Sequence, residues 1–192
     1  MSVYERVGAA IVRALAADSI DNSAKQSWQK IVTNAPSGGF ADMLSARDRF
    51  DFDCCLHALL HRELSSGCWD VLLAKFSSHD YNRIQAIGRL HPRVTSPAPK
   101  LFVMKATATW AVPKMKGLQQ TKDGKEVKRS TKVLMFEDQL YDMNTWDLEA
   151  RPDSTRSRWR REIHKQLERL LAEAQVHVTE ILEREGLLNE VA

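Results

Sequence analysis

Cys54, His57, His61 and Cys68 are the residues of this chain whose types and spacing could hold a metal. On a helix the first three fall on one stripe, and thiolate sulfur with imidazole nitrogen is a donor set that zinc accepts. Their spacing matches no common zinc signature, however, and a histidine pair on a helix is ordinarily surface decoration. No metal and no cofactor is therefore expected. The same residues offer a Cys/His nucleophile pair, but no orienting carboxylate or oxyanion loop accompanies them. A phosphate-cradling glycine loop is also missing, the close glycines being Gly38 and Gly39 beside Pro36. The chain reads as a non-enzyme. His79, His91, His164 and His177 are isolated in sequence and need no chemical role.

The chemistry that the sequence does concentrate is ionic. The chain of 192 residues has a net charge of +3, but residues 151–169 carry +4 and residues 114–132 carry +5, which leaves −6 for the rest. Basic patches on an acidic body point to a polyanion or an acidic protein surface. In "ARPDSTRSRWRREIHKQLERL", residues 150–170, a helical rotation of about 100° per residue groups Trp159, Ile163, Leu167, Leu170 and Ala174 into an apolar stripe. Ser154, Ser157, Arg158, Arg161 and Lys165 then lie opposite. A plainer alternative is a solvated face in which Glu162 pairs with Lys165 and Arg169.

Elements able to position these charges follow from periodicity. Val3, Val7, Ala10, Ile11, Ala14 and Leu15 predict an amphipathic first helix. "DNSAKQSWQKIVTNA" predicts a second, and "FDFDCCLHALLHRELSSG" a third, with Asp53 as a candidate cap and Ser65-Ser66-Gly67 as the stop. "WDVLLAKFS" and "DYNRIQAIGRL" read as two shorter helices, which also admit a helix-turn-helix exposing Asn82, Arg83, Gln85 and Arg89. The prolines of "HPRVTSPAPK" force an extended connection, and "KLFVMKATATWAV" is read as helix, although a strand also fits. Residues 114–132, with Asp123-Gly124, suit a basic loop or hairpin. Leu140, Met143 and Trp146 then predict a helix over "EDQLYDMNTWDLEA", and a final helix capped by Asp153 or Ser154 is expected to run to Glu185, before Gly186.

Together these readings give a mostly α protein: a multi-helix body with a C-terminal helix-turn-helix and a basic loop or hairpin insertion. The expected divisions are an N-terminal helical body over 1–91, a proline-rich connection with helix and basic loop over 92–133, and a helix-turn-helix with a long final helix over 134–192. Hydrophobic residues at 43% and charged residues at 28% argue against whole-chain disorder. Glu5, Arg6 and Arg13 interrupt the first apolar pattern, so neither a signal peptide nor a membrane span is expected. Three cysteines, two of them adjacent, make no disulfide framework and suit the reducing cytoplasm.

"DMNTWDLEARPDSTRSRWRREI", with "CLHALLHRELSSGCWDVLLAKFSSH" and "AIGRLHPRVTSPAPKLFVMKATATWAVPKMKG" before it, is similar to the Q-type transcription antiterminators of phages and prophages. The similarity spans residues from about 50 to the C-terminus. It implies a protein that binds double-stranded DNA at a promoter, loads onto paused RNA polymerase with its sigma factor, and suppresses pausing and termination at the RNA exit channel. Such proteins serve lysis programmes. On this chain DNA reading would fall to Ser154, Thr155, Arg156, Ser157, Arg158, Arg160, Arg161 and Lys165. Polymerase or nascent-RNA contact would fall to Lys114, Lys116, Lys122, Lys125, Lys128, Arg129 and Lys132. Some relatives carry a cysteine-based zinc module, but this chain has no paired CxxC. Two other readings stay open: a sigma-like or repressor-type factor acting only at initiation, and a protein-interaction module for an acidic partner.

Overall fold

The computed structural model describes Tyr4 and residues 6–17, 45–114 and 134–188. The elements, in order, are α1 (Val7–Ala17), α2 (Ala46–Glu63), α3 (Ser66–Phe76), α4 (Asp80–Leu90), a 3-10 turn (His91–Arg93), α5 (Lys100–Ala111), the one-turn α6 (Asp138–Tyr141), a second 3-10 turn (Met143–Thr145) and α7 (Asp153–Arg184). The protein is thus mostly α, and no strand occurs among the described residues. The helix expected over 21–35 lies outside them, as do the Asp123-Gly124 turn, Lys116, Lys122, Lys125, Lys128, Arg129 and Lys132.

The described chain forms two compact units: one drawn from residues 1–86 and 169–192, the other from 87–168. They differ from the three successive segments expected along the chain. The physical reason is α7, whose first half belongs to one unit and whose second half belongs to the other.

In the first unit α1 packs on α2 and α3. Ala10, Ile11, Ala14 and Leu15 are buried as their spacing predicts. Helix α2 starts earlier than Asp53. Ser45 is its N-cap, its hydroxyl accepting from the Asp48 N–H while the Asp48 carboxylate accepts from the Ser45 N–H, a reciprocal capping box. Asp53 is instead buried in mid-helix, where one carboxylate oxygen accepts from the Tyr4 hydroxyl at 2.7 Å and the other from Arg13 Nε and Nη2 at 3.2 Å. Burial drives the Asp53 carboxyl above its ordinary value, against the Arg13 charge and the hydrogen bonds it accepts. Ser65 caps α3 rather than ending α2, with its hydroxyl accepting from the Cys68 N–H at 3.2 Å. Helix α7 ends as expected at Gly186, whose φ of +64° suits glycine, with the Leu187 N–H donating to the Leu182 carbonyl at 2.8 Å. The Leu187 carbonyl accepts from the Tyr4 N–H at 3.0 Å, and Arg184 ion-pairs with Glu63.

The second unit is organised by aromatic rings. Helix α5 forms where a strand was the alternative. It places Phe102 edge-on against Trp146 at 5.3 Å and Trp159 at 5.6 Å between centroids. Burying a side chain of this size contributes roughly 1.5–3 kcal/mol, and edge-to-face pairing adds about 0.5–1.5 kcal/mol. The polar ring atoms are satisfied: Trp146 Nε1 donates to the Leu140 carbonyl at 2.8 Å, and Trp110 Nε1 to Glu168 Oε1 at 2.7 Å. Lys105 Nζ donates to the Thr145 carbonyl at 2.8 Å, and the Tyr141 hydroxyl to the Val112 carbonyl at 3.0 Å, which ties the short helices to α5. The continuous helix expected over 137–150 is therefore two short turns. Asp142 breaks it: its backbone is extended and its side chain accepts from the Asn144 N–H. Among described residues, no helix is long and apolar enough to cross a membrane.

Truncating Phe102 to Ala is expected to lower the unfolding free energy by about 3–5 kcal/mol, because the two indoles cannot close the cavity. Urea titration followed by tryptophan fluorescence measures it, and a loss below about 1 kcal/mol would mean the rings are not packed this way.

Candidate nucleic-acid interface

The basic half of α7 is aimed by the turn that precedes it. Asp147, with no exposed side-chain surface, accepts from the Glu149 N–H at 3.2 Å and the Arg151 N–H at 2.9 Å, and binds Arg151 Nη1 at 3.0 Å. Desolvation would raise its carboxyl. The backbone donors and the Arg151 charge outweigh that, and hold it below the ordinary value. Ala150 inside this turn has φ +50°, a left-handed conformation that costs a non-glycine residue about 1 kcal/mol or more. The Arg151 guanidinium also pairs with Glu149 and lies 5.2 Å from the Trp159 ring centroid.

Asp153 is the first residue of α7 rather than its cap, and the Pro152 carbonyl accepts from the Thr155 and Arg156 N–H groups. Proline just outside the first turn is tolerated because no helical partner is lost there. Trp159, Ile163, Leu167 and Ala174 are buried, as the stripe predicts; Leu171, rather than Leu170, completes it.

The expected reading residues divide in three. Arg156 is a correction: it is buried and ion-paired with Asp153. Three residues before Trp159, it falls on the same helix side as the apolar stripe, so it faces inward. Thr155, on the same flank, is half-buried, as is Ser157. Ser154, Arg158, Arg160, Arg161 and Lys165 are exposed. Arg160 lies 5.8 Å from the Trp146 ring centroid. Among the described residues, Arg158, Arg160, Arg161 and Lys165 form no ion pair, and neither do Glu162 and Arg169, so the network of surface pairs is not what orders this face.

Ser157, Arg160, Arg161 and His164 line a shallow recess of about 400 Å³. His164 is the residue that sequence reasoning set aside. Its spacing of three and four residues from Arg161 and Arg160 was the signal that could have included it. Beside this recess, Ser154, Arg158, Arg161 and Lys165 form a cationic stripe at the same helical spacing.

Elsewhere the candidate residues are brought to other uses. Lys114 is ion-paired with Asp138 at 2.9 Å. Arg83, from the alternative reading helix α4, donates through Nε to the Ala74 carbonyl at 2.9 Å and through Nη2 to the Lys75 carbonyl at 3.4 Å. It closes the C-terminus of α3 and is spent on the fold. His57 and His61 each stand edge-on to Trp69 at 5.1 Å, so they are held as aromatic neighbours and do not gather with Cys68. None of the three cysteines is in a disulfide.

Comparison with protein-family models, with curated proteins and with solved structures finds no match for the chain.

Two predictions concern the turn. The depressed Asp147 carboxyl contributes stability that is present above the unfolded value near pH 4 and lost as pH falls through the folded value. Asp147→Asn is therefore expected to be less stable than the parent at pH 7 and to lose less between about pH 5 and pH 3; urea midpoints across that range check it. Ala150→Gly is expected to raise the unfolding free energy by up to about 1 kcal/mol by relieving the left-handed strain. A clear drop would show that the alanine methyl does more there than strain the turn.

Proposed function

We propose that this chain is a DNA-binding transcription antiterminator. In this reading the basic half of α7 enters the major groove of promoter DNA, and the protein then acts on paused RNA polymerase with its sigma factor to suppress pausing and termination. One observation carries the DNA contact: Arg158, Arg160, Arg161 and Lys165 are exposed on one half-helix whose opposite side is buried through Trp159. A helix of about 10–12 Å diameter fits a major groove about 12 Å wide.

The electrostatics of α7 supports an anionic partner. Here Arg158, Arg160 and Arg161 crowd exposed like charges onto adjacent turns of one helix, while Arg156 is already neutralised by Asp153. Phosphates would neutralise that cluster and release counterions. Short helices over 138–145 act as the brace of a helix-turn-helix unit, and α7 as its reading helix. Arg158, Arg161 and Lys165 meet base edges or phosphates, and Ser154 and Ser157 donate to phosphate oxygens. Arg156 positions the first turn from inside, and Arg160 with His164 shapes the flank. The step to antitermination rests on the similarity to Q-type antiterminators and on the basic segment 114–132 as a polymerase or RNA contact.

Arg158→Ala with Arg161→Ala is expected to weaken duplex binding about 10–100-fold and to flatten the salt dependence of binding by about two in slope. Fluorescence anisotropy with promoter duplexes over a salt series reads both. Unchanged affinity would move the DNA contact off α7. Readthrough of an intrinsic terminator in reconstituted transcription then tests the later step, and an effect confined to initiation frequency would replace antitermination with initiation control.

A further inference from the structure

The first unit brings Cys68 against two side chains of α7 that lie more than a hundred residues further along the chain. Cys68 Sγ lies 3.9 Å from His177 Nδ1, and Cys68, Glu173 and His177 each offer a ligand atom within 4.8 Å of the others. From this convergence we propose a zinc-binding site formed by Cys68, Glu173 and His177, a clamp between the start of α3 and the second half of α7. It is independent of the DNA-binding reading.

The donor chemistry selects the metal. One thiolate, one imidazole and one carboxylate suit zinc, which takes all three in four-coordinate sites, whereas calcium and magnesium want oxygen alone. Three protein ligands leave the fourth position to water. Geometry is close to what coordination needs. Zn–S and Zn–N bonds of about 2.3 and 2.0 Å at a tetrahedral angle set sulfur and nitrogen about 3.5 Å apart. The observed 3.9 Å must therefore close by only a few tenths of an ångström. Glu173 has further to come, but it is exposed and can reach the site by a rotamer change.

The positions are suited to their roles. Cys68 is buried in the first turn of α3, where the helix backbone fixes the position of its sulfur. Glu173 and His177 are four residues apart on α7, so one helix face presents both. The site is half-open, with a buried sulfur, a half-buried imidazole and an exposed carboxylate, which gives a metal ion an entry path. A weak thiol–imidazole contact could also hold Cys68 near His177 without metal, and metal titration separates the two.

Metal-free full-length protein is titrated with zinc against a chromophoric chelator, and in parallel with cobalt(II) read by absorption. The expected result is one zinc per chain, a thiolate-to-cobalt charge-transfer band, and a thermal midpoint that rises with free zinc. His177→Gln and Glu173→Gln, both at accessible positions, keep the test valid if Cys68→Ser fails to fold. His177→Gln is expected to lower zinc affinity more than about 100-fold, since even outer partners of metal ligands are worth roughly 10–100-fold. Cys54→Ser with Cys55→Ser is expected to leave affinity and the charge-transfer band unchanged. The proposal is overturned by absence of stoichiometric zinc, by full zinc affinity in His177→Gln, or by loss of the thiolate band in the Cys54/Cys55 variant.

Discussion

Both carboxylate oxygens of Asp147 are occupied by groups no more than four residues further along the chain, and the direction in which α7 leaves its turn follows from that. A buried carboxylate holding two backbone donors cannot shift without breaking those hydrogen bonds, each of which contributes about 0.5–1.5 kcal/mol, or more because the acceptor is charged. The turn therefore accommodates a left-handed alanine at position 150 where glycine is the unstrained choice. Arg151, tied to the same carboxylate, is laid over the Trp159 ring, so a single anion fixes the backbone, a neighbouring cation and the aromatic flank together. That anchor acts together with the burial of Trp159, Ile163 and Leu167 to orient the basic half of α7 in its unit.

Burial then sorts the cations. Once Trp159 is committed to Phe102, each arginine on α7 has its exposure decided by its angle from that ring. Arg156 is drawn inside and neutralised by Asp153, while Arg158, Arg161 and Lys165 project outward. A cationic surface of this kind is ordered by what lies beneath it and not by pairing across it. Such ordering matters for recognition, because side chains whose helix is already fixed lose less freedom on meeting a partner.

Much of this was legible along the chain. The period of α1, the extent of α4 over Asp80–Leu90, the helix after the three prolines and the stop at Gly186 all follow from local spacing and from proline and glycine chemistry. The burial of Trp159 and Ile163 was readable for the same reason, and so in principle was the inward turn of Arg156, which shares their face. The capping box at Ser45 and Asp48 has a spacing visible in the sequence, yet Asp53 was the candidate cap. Only the approach of Tyr4 and Arg13 from α1 and the segment before it makes Asp53 a core residue, and no local pattern announces a contact across forty or more residues. Leu140, Met143 and Trp146 suggested one continuous helix because three-residue spacing suits both α and 3-10 turns. The side-chain bonds of Asp142 and Trp146 broke it in two.

By itself, the amino-acid order indicated most of the long helices, where cations concentrate and which ring of α7 faces the core, because each of these depends on neighbours within one or two turns. Tertiary structure decided the long-range pairs, such as Asp53 with Arg13 and Glu63 with Arg184, and which sulfur meets which imidazole. Cys68 was readable only as a neighbour of Cys54, His57 and His61 in sequence, yet it faces His177, while His57 and His61 flank Trp69. The reason is that side-chain chemistry has a reach of a few ångströms, and only the packing of distant helices places donors and acceptors within it.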